Sequence, residues 1–185
     1  MARILIVAVF LSGAAAAGFQ SPSPAPPPSQ SSPASQIEGV RNYTKVDPSI
    51  GCAGATDPKA MAALAAAGYK AVLNLREATE EGALIDESRA AAEAAGMKYI
   101  HLPFKGSAPD PKVADEFLKV VADTATQPLF IHCGTANRVG AMWLIKRMVV
   151  DKWTEEKALA EAKSIGLTSA ALQKFALDYV AAHKN

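Results

Sequence analysis

Cysteine is nearly absent from this chain: Cys52 and Cys133 stand alone in 185 residues. Two are too few for a disulfide framework, which leaves stability to a packed core. In an oxidising compartment the pair could still bond to each other, which would silence Cys133. His132, Cys133, His101 and Cys52 follow no usual zinc-ligand spacing. An excess of one charge is lacking too, with 19 Lys and Arg against 18 Asp and Glu. Setting Arg3 aside leaves 18 of each, so there is no electrostatic footprint for nucleic acid or an anionic membrane surface. Internal repeats are missing as well.

Long apolar runs are confined to the start, and even there Ile4 to Leu11 is too short for a confident membrane span. With basic Arg3 before it and Ala15, Ala16 and Ala17 after it, residues 1–17 read as a secretory signal. No cysteine follows closely, which argues against a lipid anchor. The expected location is secreted or periplasmic, with an uncleaved signal acting as a membrane tether the alternative. Residues 18–36 are Pro/Ser-rich and uncharged, an extended linker that buries no core. Residues 37–185 suffice for one domain.

Within that domain, strand and helix patterns alternate. A strand is predicted around Ser49–Ala53, then a helix capped by Asp57 with Pro58 first and Gly68 as its stop. Tyr69–Leu75 reads as a strand and residues 76–82 as a polar loop of mixed charge. A helix over 83–95 ends at Gly96, and Lys98–Phe104 forms the next strand. Asp110 and Pro111 repeat the cap seen at Asp57, and two helices, 154–165 and 169–183, close the chain. Such alternation predicts an α/β fold, a mostly parallel central sheet with helices on both faces. Ligands of such sheets bind at the carboxyl ends of the strands.

The stretch with chemistry in it is PLFIHCGTANRVGAM, residues 128–142. Leu129 to Ile131 is a short apolar run fit for a buried strand, and Gly134, Thr135, Ala136 and Asn137 are small or turn-prone. An apolar helical pattern then begins at Arg138. Strand, small loop and helix start in that order make an anion cradle from inward-turned N–H groups. Cys133, expected at its mouth, then sits where the thiolate is favoured, and Arg138 offers a fork of donors for two oxygens of an anion. The alternative is a buried Cys with an Arg five positions later by chance.

GATDPKAMAALAAAGYKAVLNLR, YIHLPF and HCGTANRVGAMW, in that order, resemble the phosphatase-like domain of beta-lactamase-hydrolase-like proteins, within the superfamily of dual-specificity and tyrosine phosphatases. The resemblance spans nearly all of 40–170. It implies a cysteine-phosphatase fold, Cys133 as nucleophile, Arg138 as phosphate clamp and the amides of 134–138 as cradle. It further implies that His132 orients the cysteine loop through hydrogen bonds. No metal or cofactor is implied, and the substrate would be a phosphorylated small molecule or peptide.

The chain departs from the superfamily in four places. Four residues separate Cys133 from Arg138 where tyrosine phosphatases have five; this is the length found in rhodanese-type sulfurtransferases and shared by relatives in this smaller family. Ala136 stands where relatives commonly carry Gly. Val139 follows the arginine where Ser or Thr is usual. Lys105 and Gly106 offer no carboxylate as general acid, which leaves Asp110 as a catalytic candidate beside its reading as a helix cap. Three functions follow: a phosphatase for aryl phosphates or phosphotyrosine, a sulfurtransferase carrying a persulfide on Cys133, or a non-catalytic anion-binding module.

Overall fold

A computed structural model describes residues 36–183. The signal and nearly all of the linker expected from the sequence lie outside the described residues. The chain runs β1 (Thr44–Asp47), β2 (Ile50–Ala53), α1 (Met61–Ala66), β3 (Ala71–Asn74), α2 (Ile85–Ala94), β4 (Lys98–His101), α3 (Pro111–Ala122), β5 (Leu129–His132), α4 (Asn137–Val149), α5 (Glu155–Ile165) and α6 (Ala170–Ala182). No described helix is long and apolar enough to cross a membrane.

The sheet order is β1-β2-β5-β3-β4. Every pairing is parallel except β1 with β2. This mostly parallel sheet is the one expected, and β5 is its central strand. Every residue of β2, β3 and β5 is buried, as strands covered on both faces require. Alternate side chains feed two cores. Cys52, Leu73 and Ile131 join Phe117, Trp143 and Leu144 in one, while Ala53, Val72 and Phe130 join Met61, Leu64 and Ala92 in the other. Helices α1 and α2 thus cover one face and α3 to α6 the other.

Register explains where a site must lie. His132 of β5 stands level with Ala53 of β2 and Asn74 of β3, and Asn74 with His101 of β4. Four parallel strands therefore end abreast, and the loops that leave them start from one line.

The helix punctuation follows the local chemistry. Asp57 accepts from Lys59 N at 2.8 Å and opens a 3-10 turn, Pro58–Ala60, that leads into α1. Thr154 and Ser169 cap α5 and α6. Gly68, Gly96 and Gly166 all take positive φ at helix ends. Two strands are shorter than expected, Ala71–Asn74 within Tyr69–Leu75 and Lys98–His101 within Lys98–Phe104. Strand β1 was not expected at all. It is an edge strand with no fully buried residue and no clear alternation to read. A turn joins it to β2, Asp47 Oδ1 accepting from Ser49 N at 3.1 Å.

Candidate active site

The loop between β5 and α4 holds the candidate residues together. Leu75 N donates to His132 O at 2.9 Å and Cys133 N to Ala53 O at 3.3 Å, so both neighbouring strands grip the end of β5. Beyond that grip, the N–H groups of Gly134, Thr135, Ala136, Asn137 and Arg138 have no backbone acceptor among the described residues. They form the expected row of donors at the start of α4.

The cradle is held from behind. Ala136 is left-handed, with φ 66° and ψ −5°, the conformation that Gly takes freely and Ala only at a cost. Gly166, at φ 135°, lies so close that a Cβ there would meet the Ala136 Cβ at 2.9 Å. Gly166→Ala is therefore expected to cost about 2 kcal/mol in backbone strain and overpacking. Adding Ala136→Gly removes the clash but not the strain, so urea unfolding of the four proteins should show a coupling of about 1 kcal/mol. Strict additivity would mean that the two residues do not touch.

Asn137 supports this loop with its side chain. Its Oδ1 accepts from Thr168 N and Ser169 N, each at 2.8 Å, and its Nδ2 donates to Thr135 Oγ1 at 3.2 Å. The start of α4 is thereby pinned to the start of α6. Asn137 and Thr135 thus have backbone amides for a ligand and side chains occupied with each other.

Arg138 is gripped rather than free. Its Nη1 donates to Glu80 Oε1 at 2.5 Å and to Phe104 O at 3.0 Å, and its Nη2 donates to Glu80 Oε2 at 2.8 Å. Of its five N–H donors, Nε and the second Nη2 hydrogen remain on the other edge of the fork. Burial alone would lower the Arg138 pKa, but Glu80 and the Cys133 sulfur together push it up.

Glu80 is itself held by Arg76 Nε at 3.2 Å and by Glu77 N at 2.7 Å. Burial opposes its charge, yet the bonds from Arg138, the Glu77 amide and Arg76 hold its pKa at about 2. Arg76 also donates to Gly82 O at 2.6 Å and Glu81 O at 2.5 Å, which ties down the whole loop after β3. By sequence, residues 76–82 are a polar loop of mixed charge, with no role marked out for Arg76 or Glu80. Their alternating charges at a strand's carboxyl end were the available signal; a partner 58 positions away was not.

Two expectations need correction. Cys133 is not at an open mouth: it is fully buried, because β5 is central and the Glu80–Arg138 pair lies against Gly134. Second, neither ring nitrogen of His132 has a hydrogen-bond partner among the described residues, so the bonds expected to orient the cysteine loop are not made. Its ring stacks on Phe130, 5.8 Å between centroids. Burial, then the Arg76 and Arg138 cations, push its pKa down to about 3 and keep it neutral. The disulfide weighed as an alternative is not formed: the thiols of Cys52 and Cys133 are both free. Cys52 lies opposite Ile131, two residues short of Cys133. The resulting separation of about 8 Å between Cα atoms exceeds disulfide reach. Burial also pushes the Cys52 thiol well up in pKa.

Asp110 caps α3, its Oδ1 accepting from Lys112 N at 2.9 Å, the cap geometry weighed against its role as general acid. Val139, after the arginine, is buried and carries no hydroxyl.

Residues 42–150 match the family described as beta-lactamase hydrolase-like protein, phosphatase-like domain. No curated protein matches the chain significantly. Among solved structures, a putative phosphatase (DUF442) from Shewanella putrefaciens CN-32 is similar with a TM-score of 0.68 at 18% identity, over 80% of this chain and 97% of that one. The core catalytic domain of the PP-IP phosphatase Siw14 from S. cerevisiae, in complex with citrate, has a TM-score of 0.67 at 19% identity, over 78% and 88%. P. aeruginosa TpbA in complex with pTyr gives 0.56 at 19%, over 75% and 90%. At these identities the structures speak to the fold, and the cysteine-phosphatase fold expected from the sequence is the one found. The family match covers all five strands and the whole Cys133–Arg138 loop: this chain belongs to the phosphatase-like domain family of beta-lactamase hydrolase-like proteins.

Proposed function

We propose that the domain is a cysteine-dependent phosphatase for aryl phosphates or phosphotyrosine-type esters, delivered outside the cytoplasm by residues 1–17. The observation that carries this reading is the row of unpaired amides between Cys133 and the guanidinium of Arg138. Such a cradle binds three oxygens of a phosphoryl group and stabilises the charge that develops on them. The Cys133 thiolate attacks phosphorus, the S–P bond forms, and the ester oxygen leaves with its electrons. Water then cleaves the phosphocysteine, which returns the thiolate and releases phosphate. A phenolic leaving group needs least help from a general acid, which suits a site whose nearest candidate, Asp110, is engaged as a cap. The pTyr bound by TpbA supports the same substrate class.

A second reading rests on the four residues between Cys133 and Arg138. A shorter loop suits a persulfide on Cys133, and sulfane sulfur leaves without an acid. One reduced sample decides between them. Phosphate released from p-nitrophenyl phosphate, and lost in Cys133→Ser, is the expected result. A gain of one sulfur atom on Cys133 after thiosulfate, with no phosphate release, would replace it with the sulfurtransferase. Neither product would leave a non-catalytic anion-binding module.

A further inference from the structure

Leu84 breaks two local rules at once. It adopts the left-handed conformation, φ 44° and ψ 51°, at the start of α2 and makes no capping bond there. It is also 47% exposed, one of two large hydrophobic side chains so open among the described residues. Neither a core nor a cap accounts for a leucine at a position where Gly or Asn would sit without strain. The conformation is imposed from outside. Arg76 clamps the Glu81 and Gly82 carbonyls just before it, Ala83 N donates to Glu80 O at 3.0 Å, and Ser88 N donates to Leu84 O at 2.8 Å. Strain over-determined in this way gathers where a side chain must be presented to a ligand.

What it is presented to is a cavity of about 770 Å³. Leu84 lines it with Val40, Ala55 and Pro58, and the cavity runs on to Gly134 and Thr135 of the cradle. A phosphoryl group held by those loop amides would leave its ester substituent in this space. The charges around it argue against a second phosphate. Asp57, Glu80 and Glu81 line the same cavity with Arg41 and Arg76, and Glu80 is also bonded to Arg138, so no excess of cation is left for a second phosphate. An uncharged, apolar substituent fits this lining.

We propose that Leu84 is a specificity-determining residue: with Val40, Ala55 and Pro58 it forms the apolar wall on which the aromatic ring of an aryl phosphate lies. This inference rests on the phosphatase reading and adds the group that selects an aryl over a small or polyanionic ester. The clamp of Arg76 on the preceding carbonyls keeps that wall in place before substrate arrives.

The test uses the full reduced chain carrying Cys133→Ser, so that binding is read without turnover, and calorimetry with phenyl phosphate and with inorganic phosphate. Leu84→Asn keeps the left-handed backbone comfortable and removes the apolar wall; Leu84→Met keeps the wall. Leu84→Asn is expected to weaken phenyl phosphate about tenfold, equivalent to about 1.4 kcal/mol. Inorganic phosphate should stay within about twofold, and Leu84→Met should hold both ligands. Equal changes for the two ligands, or none, would overturn the role of Leu84 while leaving the cradle intact. Failure of the Cys133→Ser protein with Leu84 in place to bind inorganic phosphate is a different result. It would remove the phosphatase reading and this inference with it.

Discussion

Glu80→Gln is expected to lower kcat/KM for the proposed aryl phosphate hydrolysis by about a hundredfold, although Glu80 makes no bond to Cys133. Glu80 takes both outer nitrogens of Arg138 and Phe104 O takes a further Nη1 hydrogen, which fixes the plane of the guanidinium. The Nε hydrogen and the second Nη2 hydrogen are then left for a ligand. Glutamine keeps the shape but puts an amide donor against one of those nitrogens and removes the charge. A reacting group displaced by about 1 Å can cost about 10²-fold. A positioning role also predicts weaker inhibition by inorganic phosphate, since the same fork grips the ground state. Unchanged phosphate inhibition together with unchanged kcat/KM would show that Arg138 is held in place without Glu80.

The same carboxylate sets an acid limit. Its pKa is depressed to about 2 in the folded chain, against about 4.3 when unfolded. Below the unfolded value the unfolded state binds more protons, so the contribution of Glu80 is complete above about pH 4.3 and lost as pH falls toward 2. Urea midpoints of Glu80→Gln and the unsubstituted chain should therefore converge on acidification. His132 acts with the same sign from a higher pH, because its proton must be taken up before the buried ring can charge.

Arg147→Ala is expected to destabilise the domain by about 3–5 kcal/mol. Arg147 is 7% exposed. Its Nε donates to Glu161 Oε2 at 2.6 Å, Nη2 to Glu161 Oε1 at 3.0 Å, and Nη1 to Asp151 Oδ2 at 2.8 Å. The guanidinium also lies 4.8 Å from the Trp143 ring centroid and 4.3 Å from that of Trp153. Burial disfavours this cation, but Glu161 and Asp151 more than offset it and raise its pKa. One planar group thus joins α4, α5 and, through Val46 O at 3.3 Å, the edge strand β1. Alanine leaves Glu161 largely buried with only the Trp143 Nε1 donor at 2.8 Å. Lysine should recover part of the loss, because it keeps the charge but not the fork. Urea unfolding is expected to show a lower midpoint at unchanged slope, and faster amide exchange in Thr44–Asp47. A loss under about 1 kcal/mol would mean that solvent screens this network as it does a surface pair.

Much of the site can be read from residues that are close in the chain. Asp57, Asp110 and Thr154 cap helices because their side chains reach amides two or three residues on. Leu129 to His132 forms a buried strand, and the small residues after it deliver Arg138 to the first turn of α4. These are short-range effects of sterics, hydrogen bonding and periodicity.

What the sequence by itself determined, then, is the alternation that makes a parallel sheet, the identity of the cradle and the presence of a thiol and a guanidinium beside it. The tertiary structure alone decided that Cys133 is enclosed, that Glu80 rather than a free ligand fills one edge of Arg138, and that Asn137 ties the cradle to Thr168. It also decided that Leu84 is forced open beside the cavity. Each depends on strand register, which sets level residues that the chain keeps far apart. No local pattern encodes a partner 58 positions away.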